Sequence, residues 1–296
     1  VTGLKQTLYG CGISAWQNAK NMAPVLNNGS HIVGRLANAM FPPDPGETVA
    51  AVPWNGDQFI IPPNSPSSRT YMSQRYELPV VQKMTQVIHK NGICIDVGAH
   101  CGYFTMLMAL QAPQGAVYAF EPNPVSFRYL NLNLNRHGAS GGATLHMFPY
   151  GISNRKGVAY LEDVDRVEHG QLKASGAYSV EVRSLDDYAP IVGTTGRPLS
   201  LIKVDTEGHE VSVLKGACQL LMQHPEASLI IEHQSLADGD AFEELSRVLR
   251  AYGYTEYEII ERGTWHPLDQ PFPHQQNNIV YNLYLTKKSL RFQGRE

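Results

Sequence analysis

The segment ICIDVGAHCGYFTMLMAL, residues 93–110, holds the densest candidate chemistry in this 296-residue chain. An apolar run ends at Asp96, and Gly98 and Gly102 follow before a second apolar stretch, the pattern of a buried strand turning tightly into a helix. Such a turn needs residues without a Cβ where backbone and ligand meet. Farther on, VYAFEPNP (residues 117–124) ends another strand-like run at Glu121. A carboxylate at that place can accept both ribose hydroxyls of an adenosine cofactor. A dinucleotide turn calls for three glycines and brings a pyrophosphate onto the helix N-terminus. Here Ala99, His100 and Cys101 separate only two glycines, and Asp96 places a negative charge just upstream. That carboxylate opposes an anion but suits a ligand carrying an ammonium and a sulfonium. The expected cofactor is S-adenosylmethionine rather than NAD.

A second polar group, DTEGHE, follows the run LSLIKV and supplies Asp205, Glu207, His209 and Glu210, while Glu232-His233 ends the next apolar run. Carboxyl ends of parallel strands form one rim, so both sets are expected beside the donor turn. Transfer of a methyl group from such a donor needs the acceptor atom held in line with the methyl and, where that atom carries a proton, a base to remove it. His209 is the first candidate base because imidazole needs little tuning near neutral pH; Glu207 competes with it, and Asp205 lies beside both. Glu210 is expected only to favour a helix N-terminus, and Asp186-Asp187 to cap a turn.

These residues require an alternating βα framework. Strands are expected at Ile93–Val97, Ala116–Glu121, Thr144–Pro149, Leu199–Asp205 and Ser228–Glu232. Helical spacing joins Val80, Val81, Met84, Val87 and Ile88; Asn123 and Pro124 start another helix that should stop at Gly138. One helix is expected from Glu210 to the residues before Pro225, and one from Asp240 to Gly253. Val158–Glu162 and Tyr178–Leu185 read as an antiparallel insertion, and YEIIER and NNIVYNLYLTK as two final strands joined by a Pro- and Gln-rich loop. Proline-rich segments such as FPPDPGE (41–47) make residues 1–70 an expected irregular extension, before a main domain at 71–288 and a tail at 289–296.

The formal charge of −3 lacks the basic excess of a protein that neutralises many phosphates, so no nucleic-acid partner is expected. Four cysteines without C-x-x-C spacing fit reduced thiols and a cytoplasmic location better than a zinc site or a disulfide framework. No stretch approaches the ~20 apolar residues of a membrane span.

Through IDVGAHCGYFT, AFEPNP, SLDDY, IKVDTEGHEVSVLKGA and LIIEHQ, the sequence resembles the FkbM family of methyltransferases over roughly residues 71 to 287. The resemblance implies an α/β class I (Rossmann-like) methyltransferase domain with a mostly parallel sheet and an antiparallel final strand. It further implies O-methylation of a hydroxyl on a small molecule, sugar or glycan. Asp96, Gly98, His100 and Gly102 match the family's donor-binding loop, Glu121 its ribose carboxylate, and Glu77 the acidic position before the first strand. Asp205 and Glu232 also resemble the carboxylates with which some antibiotic-sugar O-methyltransferases hold Mg²⁺. His233 stands where those enzymes often continue with Asp, a departure because hard cations prefer oxygen ligands. The rival readings are an NAD-dependent oxidoreductase, a nucleic-acid methyltransferase, and a non-catalytic ligand-binding protein on a degenerate methyltransferase fold. The first lacks its Tyr-x-x-x-Lys pair after the fourth strand, and the second its Asn- or Asp-Pro-Pro-aromatic motif.

Overall fold

Continuous apolar runs bury strands on both faces, and this is how the centre of the chain is built. The computed structural model describes residues 48–62, 65, 67–164, 170–235, 240–273 and 279–287. Its first elements are strands β1 (Thr48–Ala51) and β2 (Gln58–Ile61) and helices α1 (Ser68–Met72) and α2 (Leu78–Val87). Then come β3 (Ile93–Val97), α3 (Tyr103–Gln111), β4 (Ala116–Phe120), α4 (Pro124–Gly141) and β5 (Thr144–Phe148). An insertion follows: β6 (Gly151–Ile152), β7 (Gly157–Leu161), β8 (Tyr178–Arg183), a 3₁₀ turn (Leu185–Tyr188) and α5 (Ala189–Thr194). The chain continues through β9 (Leu199–Val204), α6 (Glu210–Lys215), α7 (Cys218–Gln223), β10 (Ser228–Ser235) and α8 (Asp240–Ala251), and ends in β11 (Glu256–Ile259), β12 (Thr264–Pro267) and β13 (Ile279–Leu285).

Two compact units divide after Gln74. In the first, where an irregular extension was expected, β1 and β2 pair as an antiparallel hairpin with Thr48 opposite Ile61. The loop at Phe41–Glu47 and the tail at 289–296 lie outside the described residues. The second unit carries an eight-stranded sheet in the order β12-β11-β13-β10-β9-β3-β4-β5. The five strands from β10 to β5 are mutually parallel, and β13 closes them antiparallel to β10. This is the class I methyltransferase architecture expected from the resemblance. The insertion forms its own three-stranded sheet, β6-β8-β7, with β7 and β8 antiparallel.

The largest departures from the sequence reading are at a helix end, a helix break and an added strand. Helix α4 runs past Gly138 and stops at Gly142, whose φ of 78° supplies the left-handed cap. The helix expected from Glu210 to Pro225 is two helices. The break falls at Gly216, where an added Cβ would stand 2.1 Å from the Ser153 carbonyl oxygen. The Gly216 carbonyl accepts the Ser184 hydroxyl (2.6 Å) and the Asp186 amide (2.8 Å), so the insertion docks where helix would otherwise continue. Finally, β12 lies within the expected Pro- and Gln-rich loop. Its Pro267 is tolerated because β12 is an edge strand.

Candidate active site

The turn from Gly98 to Gly102 is held by the end of β9 and by α4. Gly98 (φ 81°) leads it out of β3, and a Cβ there would stand 1.8 Å from the Asp205 carbonyl oxygen, so the turn lies directly on the end of β9. Gly102 (φ 92°) opens α3, where a Cβ would meet Leu130 of α4 at 2.8 Å. From α4, Asn133 Nδ2 donates to the Cys101 carbonyl at 2.8 Å and fixes the loop between the glycines.

Glu121 is buried at the end of β4. Its Oε2 accepts the His100 amide and its Oε1 the Asn123 amide, both at 2.8 Å. Burial pushes its pKa up to about 7 against those two hydrogen bonds, with Asp96 and Asp205 pushing the same way as burial. Thr105 Oγ1 donates to Asp96 Oδ2 at 2.5 Å, while Asp96 Oδ1 is buried with no hydrogen-bond partner among the described residues. Glu77 precedes α2 in left-handed backbone (φ 42°), and its Oε2 is likewise buried and unpartnered. Burial raises its pKa to about 7; Lys203 pulls it down, and Asp205 and Glu261 push it up. Two orphaned carboxylate oxygens beside a two-glycine turn fit the ammonium of an S-adenosylmethionine tail, and Glu121 fits the ribose.

The polar face beside this turn is built on parity. Asp96 pairs with Lys203 in the parallel register of β3 and β9, and Ile231 pairs with Val204 between β10 and β9. Alternation therefore puts Asp96, Lys203, Asp205 and Glu232 on one face. Lys203, 1 % exposed, donates to Asp205 Oδ2 at 2.6 Å and lies 4.6 Å from the centre of the Phe104 ring. Burial raises the Asp205 pKa, but the Lys203 ammonium and its hydrogen bond prevail and the net direction is down. Glu232 moves the other way, up to about 10, through burial and the neighbouring Asp205. Glu207, in left-handed backbone (φ 54°), completes a group in which oxygens of Asp205, Glu207 and Glu232 lie within 4.8 Å of one another.

His233 does not join this group, although the sequence placed it beside Glu232 as a metal ligand. As the next residue of a strand it points to the opposite face. There its ring packs against Phe242 (5.4 Å) and Phe272 (5.1 Å), and burial lowers its pKa to about 4. Three hard carboxylates would suit a divalent cation, but the Lys203 ammonium already engages one Asp205 oxygen.

His209 is the N-cap residue of α6, and its Nε2 shares a 3.0 Å hydrogen bond with Ser153 Oγ of the insertion; burial lowers its pKa. It thus stands outside the carboxylate group that Glu207 joins. Glu210 accepts the Thr206 hydroxyl and amide and the Gly208 amide, which ties the loop. Asp187 and Ser184 form a capping box, and Asp186 Oδ1 accepts the Leu220 amide, as turn-capping residues should. Lys203 is the residue that sequence reasoning missed; a lysine inside the apolar run LSLIKV, two positions before an aspartate on the same strand face, was its signal.

Residues 96–256 match the methyltransferase FkbM domain. Hexuronic acid methyltransferase AglP of Haloferax volcanii is 31% identical over 148 residues, covering 50% of this chain and 59% of AglP. The matched segment thus spans about three-fifths of AglP's length. Methyltransferase 1 of Beauveria bassiana is 27% identical over 205 residues, covering 59% of this chain and 76% of that protein. Among solved structures, TYW2 of M. jannaschii in complex with AdoMet is similar with a TM-score of 0.39 and 15% identity, over 81% of this chain and 84% of that one. The domain match takes in Asp96, Gly98, Gly102, Glu121, Asp205, Glu207 and Glu232, and it extends over more than half of the sequence. The chain belongs to the FkbM methyltransferase family.

Proposed function

We propose that this chain is an S-adenosylmethionine-dependent O-methyltransferase whose acceptor is a hydroxyl of a sugar, glycan or secondary metabolite. The observation that carries this reading is the contact of the donor turn with the acceptor rim: Gly98 lies against the Asp205 carbonyl, and the Asp205–Glu207–Glu232 carboxylates gather at that junction. AglP, a hexuronic acid methyltransferase by name, supports the sugar class.

When bound, S-adenosylmethionine supplies an electrophilic methyl on a sulfonium. Glu121 accepts the ribose hydroxyls, and Asp96 and Glu77 receive the ammonium with their unpartnered oxygens. On the rim, Glu207 takes the acceptor's single hydroxyl proton, with the Asp205 carboxylate beside it, while Glu232 keeps its own proton and donates toward Asp205. Lys203 balances the charge of Asp205. Residues of the insertion around Ser153 hold His209 away from that role.

Two measurements test the reading. Calorimetry should detect S-adenosylhomocysteine binding and no NAD binding. Transfer of a labelled methyl group should then be assayed against neutral hexosides, hexuronates and hydroxylated small metabolites. Binding of NAD without S-adenosylhomocysteine would return the chain to the oxidoreductases, and donor binding with no transfer to any hydroxyl would remove the O-methylation.

A further inference from the structure

The buried ammonium of Lys203 has no part in binding the ribose or in removing the acceptor proton, yet it sits at the centre of the polar face. Its strand neighbour in register is Asp96 on the donor side, and two residues along its own strand is Asp205 on the acceptor side. Its Nζ is 2.6 Å from Asp205 Oδ2 and is covered by the Phe104 ring at 4.6 Å, while Glu77, Asp96 and Glu232 all act on it electrostatically. A lysine is almost never fully buried unless it is paired, and here the pair is with Asp205. Without it, the buried Asp205 carboxylate would lose its ion-pair partner.

From this geometry we infer that Lys203 is a positioning residue for methyl transfer, acting through Asp205. It holds one Asp205 oxygen by a short ion pair and so fixes that carboxylate beside Glu207 and Glu232. It also separates the carboxylates that serve the donor from those that serve the acceptor. The inference rests on the O-methyltransferase reading. It makes an unusual demand: Lys203 is a cation near a cationic donor, so its removal should harm turnover without weakening donor binding. Loss of a structural residue has the opposite signature, because a collapsed site binds its donor poorly.

The experiment compares wild type, Lys203→Met, Lys203→Arg, Asp205→Asn and the two double variants. Each is checked by thermal melting, then measured for donor KM, S-adenosylhomocysteine affinity and kcat. Lys203→Met should lower kcat by about 100-fold, the scale seen when one preorganised electrostatic group is removed. Donor KM should stay level or fall. Lys203→Arg, which keeps the charge but not the fit, should recover at least about tenfold of that loss. In the Asp205→Asn background neither substitution should lower kcat further, because the group through which Lys203 acts is gone. Should Lys203→Met fail to fold, Lys203→Arg with and without Asp205→Asn carries the same cycle. Additive losses in the cycle, or a kcat loss matched by weakened donor binding, overturn the inference while leaving the O-methyltransferase reading intact. That reading fails separately, if wild type neither binds S-adenosylhomocysteine nor methylates a hydroxyl.

Discussion

Replacing His233 by phenylalanine separates a ligand from a packing residue. The ring sits between Phe242 and Phe272, 7 % exposed, with a pKa near 4 against an ordinary value of 6.5. Its folded pKa is below its unfolded one, so the neutral ring contributes fully above pH 6.5. The contribution is lost as pH falls from 6.5 toward 4. With those two values, linkage gives about 2 kcal/mol less stability at pH 5 than above pH 7. For a unit of this size that is a fall of roughly 4 to 8 °C in Tm. Glu77, Glu121 and Glu232, all raised, lose their contribution as pH rises and so oppose this trend in the wild type. The difference between wild type and His233→Phe removes them, because they are common to both. Thermal melts of the two proteins from pH 5 to 8 should therefore converge at high pH and separate by about 2 kcal/mol at pH 5, with the variant the more acid-resistant. Methyl transfer by the variant should stay within a few-fold of wild type. Parallel melting curves would refute the buried neutral imidazole. A folded variant that binds donor but cannot transfer methyl would restore His233 to the site.

Glu207→Gln should reduce kcat by at least about 10²-fold with donor affinity unchanged. His209→Ala should cost less than about tenfold in kcat and about 1 kcal/mol in stability, the net worth of its Ser153 hydrogen bond; single-turnover assays with calorimetry distinguish the two. Because the Lys203 ammonium already neutralises Asp205, turnover should survive exhaustive chelation, and loss restored by Mg²⁺ alone would reinstate a metal. S-adenosylhomocysteine affinity should fall by at least about tenfold from pH 8 to pH 6, because Glu121 and Glu77, both near 7, must be ionised to accept the ligand's protons. Titration calorimetry across that range checks it, and Glu121→Gln should flatten the profile as it weakens binding.

The turn after β3 and the strand end at Glu121 were legible in the sequence because what they require is local. Gly98, Gly102 and Glu121 mark strand ends and a turn, and a turn announces itself in the residues that make it. The carboxylate group on the rim depends on which residues share a face after strands have paired, and adjacency along the chain then misleads. Glu232 and His233 are neighbours in sequence and lie on opposite faces. His209 and Glu207 are two apart, but the left-handed backbone at Glu207 and the fit of α6 against the insertion send them to different partners. The same insertion breaks the helix at Gly216, a tertiary contact no periodicity could foretell.

Three of the described non-glycine residues with left-handed backbone are Glu77, His100 and Glu207, at φ of 42°, 50° and 54°. They come from three separate segments, and each lies close enough to Asp205 to interact with it. Such backbone costs on the order of 1 kcal/mol or more for each residue that is not glycine. Glycine would remove that cost at each position, yet would also remove two carboxylates and an imidazole from the site. The strain is sustained by what lies beneath: Ile93, Cys94, Ile95 and Val97 of β3 and Leu201, Ile202 and Val204 of β9 are each 1 % exposed or less. A sheet buried on both faces can hold its strand ends in unfavourable geometry, whereas a loop over solvent would relax. The rim can therefore carry both strained backbone and crowded carboxylates, and Lys203, inside β9, is the cation that lets those carboxylates share one face.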